Sequence, residues 1–518
     1  MADFDVAIVG GGHNGLVTAA YLAKAGARVV VLERRPFVGG AAITEEPWPG
    51  YRVNTFSYVA GLLRPKIVEE LELAKFGYAT ILFEPQAFCP FPDGRSLSLY
   101  SDTERSQKEI AKFSARDARA YPKYEEYWDG VLALVEPLLL APPASLGELA
   151  AAFPGSAVEE LVRDLFLRSA QDVLDQWFES DELKAALVTN AVIGEMVGPR
   201  TPGTAYVLAH HNIGTIDGHH RVWGFSKGGM GRITEAIAAA AHHYGARIWT
   251  SVPVRSVNVR DGVATGVTLE NGDFIESRAV ASNLDAQHTY LELLPRDAVP
   301  PEVVREVQRI RSRGAALKFN ARLDGLPKFT AAPKTPGPHH AGAIEICPST
   351  EYLERAFDEG KYGRFSSRPF LDCEIQSVAD RSMAPKGHHV MTCFVQYAPY
   401  DLKEGAWDDF KPEAAERILD TYAEFAPNIR KVVREWQIVS PLDIERMLGM
   451  TGGNIFQGSI TPDQVFSYRP IVGWARYRTP IRGLYLCGSA AHPGGGVTGA
   501  PGHNAAQAIL EDLPSLPK

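Results

Sequence analysis

Cysteine is scarce in this chain: five residues among 518, at positions 89, 347, 373, 393 and 487, none in CxxC spacing. That spacing offers no redox dithiol, zinc knuckle or iron–sulfur cluster, so no metal is expected and each thiol reads as a small, inert buried group. Long apolar runs are missing too. Val131–Ala141 comes nearest, but Glu136 and Pro137 interrupt it, and it falls short of the ~20 residues that a membrane-spanning helix needs. A basic excess is absent: 53 Lys and Arg face 62 Asp and Glu, for a net charge of −9, and no basic run is interleaved with aromatics. Nucleic acid is therefore not an expected partner. No internal repeat or low-complexity linker stands out. The first strand-like run begins within a few residues of Met1, which leaves no room for a secretory or transit segment, so a cytoplasmic, reducing compartment is expected.

What remains is ordinary globular usage, 45% apolar and 22% charged, in a chain long enough for two or more compact regions. Five adjacent histidine pairs, at 210–211, 219–220, 242–243, 339–340 and 388–389, would point opposite ways on a strand, and they read as mostly surface residues rather than chelates.

The densest signal is VAIVGGGHNGLVTAAYLAKAGARVVVLERRPFVGGAAIT, residues 6–44. Val6–Val9 suits a buried parallel strand, and Gly10, Gly12 and Gly15 occupy the three glycine places of the dinucleotide fingerprint. Gly10 permits the tight turn, Gly12 the approach of a pyrophosphate, and Gly15 the close packing of the next helix. That helix, expected from about Asn14 to Ala25, aims its first N–H groups at phosphate. A second strand, Arg28–Leu32, ends at Glu33, where a carboxylate can accept from a ribose diol and disfavours a 2′-phosphate. Arg34, Gly39, Gly40, Ala41 and Thr44 extend the unit, and the second Gly-Gly allows another close backbone approach.

This extended pattern resembles the N-terminal signature of FAD-dependent amine oxidases and phytoene desaturases, and the resemblance implies FAD rather than NAD. At the far end, Gly483–Leu510 reads as a strand (Leu484–Cys487), a glycine-rich loop and a helix starting near Thr498–Gly502. His492-Pro493-Gly494-Gly495-Gly496-Val497 is similar to the HPGAG-type signature of bacterial phytoene desaturases. In such proteins this last segment covers the isoalloxazine, which implies flavin contacts at Gly488, Ser489, Gly496 and Val497, with the helix N-terminus favouring negative charge on the reduced ring. Many relatives carry an acid where this chain has Ser489, so a hydroxyl or backbone bond to the ribityl chain is expected. Between the ends, Gly228-Gly229-Met230-Gly231 opens an alanine-rich helix, Arg232–His243, and Arg247–Val257 reads as a strand feeding hairpins at Asp261-Gly262 and Asn271-Gly272. The resemblance places the backbone around Val254 beside the adenine. Gly452–Gly458 and Arg469-Pro470 also look like the phytoene desaturase group, so the likeness covers nearly the whole chain.

The expected architecture is α/β: a Rossmann-like FAD-binding domain of the glutathione reductase/amine oxidase type with an inserted mixed α+β substrate domain. Pieces that share one FAD must meet in space, which assigns 1–80, 215–290 and 470–518 to the cofactor domain, and 81–214 and 291–469 to the substrate region. In the latter, helices are expected at Ala144–Leu149, Ala157–Ser169, Gln171–Leu187 and Pro412–Phe425, and strands at Ala315–Leu323, Ala343–Cys347 and Val390–Tyr397. Pro333–His340 reads as a flexible loop. Phe394, Gln396, Tyr397 and Tyr400 are cavity-lining candidates, with a core or edge strand the preferred reading. Val131–Ala141 is read as a core helix, with a membrane-docking patch as the alternative. The helix face Ala505, Ala506, Ala508 and Ile509 fits packing within the domain, the preferred reading, or against a partner, and the oligomeric state stays open.

The implied activity is hydride transfer from a hydrophobic, polyene or lipid-like substrate to flavin, with the electrons passing to oxygen, a quinone or another acceptor. Of fourteen histidines, the resemblance places His492 alone by the flavin, as the candidate catalytic group, with loop capping before Pro493 as the alternative. Two other readings stand beside this one: a reduced-flavin isomerase or saturase, and a flavin-loaded interaction protein.

Overall fold

The computed structural model describes residues 2–145, 147, 148, 151 and 157–517. Strand Phe4–Val9 is almost wholly buried, as suits a strand covered on both faces. It pairs in parallel with Val29–Leu32 and with Phe274–Ser282. Arg247–Trp249 and Leu484–Leu486 extend this parallel sheet on its two sides. Phe274–Ser282 is long enough to serve further partners: its first half runs antiparallel to Val263–Leu269, which pairs in turn with Val254–Arg260. The turn between the last two uses Asp261 and Gly262, both at positive φ (50° and 73°), the conformation a tight right-twisted hairpin requires.

The expected strand Arg247–Val257 is two strands at opposite edges of this sheet. Ser251 adopts a φ of 57° and Pro253 follows it, so the extended run breaks there. Helix His13–Lys24 leaves the first strand and is buried from Asn14 to Ala23, because helices Gly231–His243 and Ala500–Asp512 pack against it.

A second seven-stranded sheet has the order Val433–Val439, Ala316–Leu323, His389–Gln396, Phe370–Glu374, Ala343–Ile346, Ala87–Pro90, Ser96–Leu99. All neighbours are antiparallel except Ala343–Ile346 with Ala87–Pro90. One face carries Phe319, Ala321, Cys373, Cys393 and Val395 into a core with helix Trp407–Phe425. Side chains alternate along strands, so Lys318, Phe394, Asp372 and Glu345 lie in one cross-strand row on the other face.

Two expectations need correction. Cys373 and Cys393 stand opposite each other on neighbouring strands and form a disulfide; Cys89, Cys347 and Cys487 are free and buried. Only the strand register brings the pair together, and a spacing of 20 residues hides it. His210, His211, His339 and His340 are buried rather than superficial, whereas His219 and His220 are exposed.

Helix Ala115–Leu139 buries Trp128, Val131, Leu132, Val135 and Leu139, while Leu134 remains 41% exposed. Among the described residues no helix is long and apolar enough to cross a membrane. The expected helix Gln171–Leu187 divides into Ala170–Trp177 and Asp181–Val188. Part of the expected helix Ala144–Leu149 lies outside the described residues.

Candidate active site

The turn after the first strand is built for close approach. Gly10 adopts a φ of 95°, and a Cβ on Gly15 would meet the Gly10 carbonyl at 2.4 Å, so the helix can pack only where that side chain is missing. Glu33 ends the second strand, and its carboxylate accepts from the N–H of Gly11 at 2.7 Å and of Arg35 at 2.8 Å. The second glycine pair closes over the first: Gly39 and Gly12 form a parallel bridge, and Gly39 N–H donates to Gly11 O at 2.8 Å.

The middle segment pins this loop in place. Gly231 N–H donates to Thr44 Oγ1 at 2.9 Å, Thr234 Oγ1 donates to Ala42 O at 2.9 Å, and Asn54 Oδ1 accepts from Met230 N–H at 2.9 Å. From the far end of the chain, Ser489 Oγ accepts from Asn14 Nδ2 at 3.3 Å, while Asn14 Oδ1 is buried without a donor.

These parts bound one cavity of about 640 Å³, within the usual range for cofactor and small-molecule sites. Gly10, Gly12, Glu33, Arg34, Gly40, Ala41, Val254, Ser489, Gly496 and Val497 all line it. Asn14, Gly15, Gly39 and Gly488 stand behind the wall and shape it; a Cβ on Gly488 would meet Asn283 O at 2.6 Å. Residues that the motif reading passed over line it as well, notably His13, Asn283 and Gln457. Asn283 directly follows Phe274–Ser282, where the carboxyl ends of parallel strands leave a ligand crevice, so its position was in principle readable.

His492 takes no part in the cavity wall. It is 1% exposed, its Nε2 bonds to Leu138 O at 2.9 Å, and burial holds its pKa down at about 4. Of the four candidates in MTCFVQYAPY, Phe394 alone lines the cavity. Gln396 donates to Val192 O and accepts from Gly194 N–H, Tyr397 donates to Val197 O, and Tyr400 donates to Glu445.

At its inner end the cavity reaches the second sheet and becomes polar. Lys318, Glu345, Asp372 and Glu374 line it together with Tyr58, whose ring stacks on Phe394 at 5.5 Å. Tyr58 Oη donates to Asp372 Oδ2 at 2.7 Å, and Thr189 Oγ1 donates to Glu345 Oε2 at 2.9 Å. Lys318 Nζ lies 3.7 Å from the Tyr58 ring centre with no hydrogen-bond partner. Burial draws its pKa down to about 7 and raises those of Asp372, Glu374 and Glu345; the Asp372 charge raises Glu374 and Glu345 further, while Lys318 draws Asp372 and Glu374 back down.

The observed groups and glycine surfaces suit FAD: a carboxylate at the end of the second strand that would face a ribose, glycines where a Cβ would intrude, a helix N-terminus that would face a pyrophosphate, and the orphaned Asn14 Oδ1 and His13 Nε2 nearby. A two-sheet flavoprotein fold of the amine oxidase type is thereby defined. The chain belongs to the flavin containing amine oxidoreductase family, whose match spans residues 84–510, with an NAD(P)-binding Rossmann-like domain matched over residues 8–65. It is 40% identical to pyridine nucleotide-disulfide oxidoreductase domain-containing protein 2 of Rattus norvegicus, over 99% of this chain and 94% of the relative. A lycopene-forming phytoene desaturase from a Paracoccus species is 25% identical over 98% of this chain and 97% of its own length. Among solved structures, an oxidoreductase from Methanosarcina mazei shares the fold with a TM-score of 0.62 at 17% identity, covering 98% of this chain and 99% of that one. FAD is the cofactor, and the protein is an FAD-dependent oxidoreductase.

Proposed function

We propose that this oxidoreductase is a dehydrogenase that removes hydride from a carbon of an organic substrate with an apolar body, held between the dinucleotide cradle and the second sheet. Continuity carries the reading: one cavity is walled by Gly10, Glu33 and Val254 at one end and by Ile193, Lys318 and Phe394 at the other. When bound, FAD supplies the hydride acceptor, and the protein supplies orientation and a dry chamber.

Leu62, Ile193, Ile455 and Phe456 give the middle of the cavity an apolar lining that excludes water and holds the substrate's body. The Paracoccus relative's name, a phytoene desaturase, supports both the apolar body and the dehydrogenation. Desaturation also requires a proton to leave the neighbouring carbon. Lys318 Nζ replaces His492 as the candidate acceptor, because it lines the cavity, has no partner and is substantially neutral near pH 7. The electrons then pass to oxygen or a quinone.

Anaerobic titration with apolar polyenes, lipids and amines tests the reading. A substrate of the right class bleaches the oxidised flavin band near ~450 nm. A flavin that dithionite reduces and no candidate substrate reduces contradicts it, and moves the assignment to an isomerase or an interaction protein.

A further inference from the structure

One stretch of the cavity wall carries an acceptor and a donor that the protein itself leaves unused. His13 follows Gly12 at the start of helix His13–Lys24 and lines the cavity, and its ring bonds to the backbone of Gly496, which lines the cavity from the far end of the chain. His13 therefore bridges the phosphate turn and the glycine-rich loop. Its Nε2 is buried with no hydrogen-bond partner. Burial holds the imidazole's pKa down at about 4, against the opposing pull of the Gly496 backbone, so the ring is neutral at pH 7. A neutral imidazole has a single N–H, which the Gly496 backbone takes, and Nε2 is left with a bare lone pair.

The next residue supplies the complement. Asn14 Nδ2 donates to Ser489 Oγ at 3.3 Å, so the Ser489 hydroxyl, itself on the cavity wall, keeps its own proton for another acceptor. The other polar side chains of the cradle are occupied. Asn283 Nδ2 donates to Gly10 O at 3.3 Å, Gln457 Oε1 accepts from Ala490 N–H at 3.1 Å, and both oxygens of Glu33 accept from backbone N–H groups. A buried acceptor without a donor costs stability until a ligand satisfies it.

We infer that His13 Nε2 and the Ser489 hydroxyl hold the ribityl chain of the cofactor, His13 accepting from one of its hydroxyls and Ser489 donating to one. In FAD the segment between the pyrophosphate and the ring system is a polyol, and a hydroxyl both donates and accepts, so it suits a wall that offers one of each. The pyrophosphate oxygens have no hydrogen to give and leave the His13 lone pair unsatisfied. His13 is thereby a cofactor-positioning residue: anchored to Gly496, it fixes the polyol against the same loop that faces the flavin ring. The inference rests on the cofactor and not on the dehydrogenase reading.

Equilibrium exchange on the flavin-loaded, full-length protein tests this. The protein is incubated with equal excesses of FAD and of an FAD analogue whose ribityl hydroxyls are replaced by hydrogen, and the bound flavins are separated and quantified after gel filtration. The wild-type protein is expected to prefer FAD by more than about tenfold, and His13→Phe to cut that preference by about tenfold, the worth of one buried hydrogen bond. His13→Gln, whose amide oxygen is again an acceptor, is expected to recover most of it. A smaller wild-type preference overturns the inference, as does a preference that His13→Phe leaves unchanged, because a merely structural histidine weakens both flavins alike. Should His13→Phe not fold, His13→Leu takes its place. Neither readout involves turnover, so a negative result leaves the dehydrogenase reading standing, and failure of that reading leaves this one intact.

Discussion

Glu33 performs two tasks from one side chain: Oε2 holds the Gly11 N–H in the phosphate turn and Oε1 holds the Arg35 N–H after the second strand. Glu33→Ala leaves two backbone donors without their partner, at a cost of about 1–3 kcal/mol for each buried group. The expected outcome is a folded protein that releases FAD readily, checked by the flavin retained after gel filtration. Retention equal to wild type contradicts the assignment. Lys318 makes a different demand. Its amine is drawn from 10.5 to about 7, so the unfolded chain takes up the proton first as pH falls, and the residue costs stability increasingly from pH 10.5 down to 7 and by a constant amount below. As a base it works in its neutral form, so the rate of flavin reduction by a substrate should rise as pH passes through about 7 and level off above it. Lys318→Met should abolish that limb and leave the melting temperature at pH 7 unchanged or higher. A retained limb with a lowered melting temperature would assign Lys318 a purely structural role.

Loop 454–464 is held against the strand end at Gly488–Ser489 by one guanidinium. Arg469 is 2% exposed and donates to the carbonyls of Phe456, Gly458, Ser459, Gln464 and Ser489. Glu195, buried across from it, accepts from Ser459 Oγ and Ile460 N–H and faces the guanidinium. Arg469→Lys keeps the charge but cannot reach five acceptors from one ammonium, so a loss of more than about 3 kcal/mol is expected. Urea denaturation measures it, and a midpoint within error of wild type would show that the loop is held by other means. The Arg469-Pro470 dipeptide was visible as a motif, yet its task was not, because its acceptors are backbone carbonyls that carry no residue signature. The glycine turn was legible for the opposite reason: the φ of 95° at Gly10, the Asn283 amide 2.8 Å from where a Cβ on Gly12 would stand and the Gly10 carbonyl 2.4 Å from one on Gly15 each favour a residue without a side chain. Cys373 and Cys393 became partners only through strand register, which spacing alone does not encode.

At the scale of the molecule, the cavity forms where the carboxyl ends of the parallel sheet meet one face of the second sheet. The cradle lies in short contiguous runs and could be read along the chain. The polar chamber gathers Tyr58, Lys318, Glu345, Asp372 and Glu374 from three separate strands and a loop, and its signal was subtle: an acid at 372 and another at 374 within the buried run FLDCEI, and one lysine within ALKFNARL. Ionisable residues recurring at alternate positions of an otherwise apolar strand mark one shared, buried, functional face. All of the chemistry depends on the cradle holding its cofactor, and the visible absorption spectrum of the purified protein tests that most directly. The account predicts the oxidised flavin spectrum with stoichiometric FAD, lost on Glu33→Ala; a colourless protein that takes up no FAD on reconstitution would contradict it.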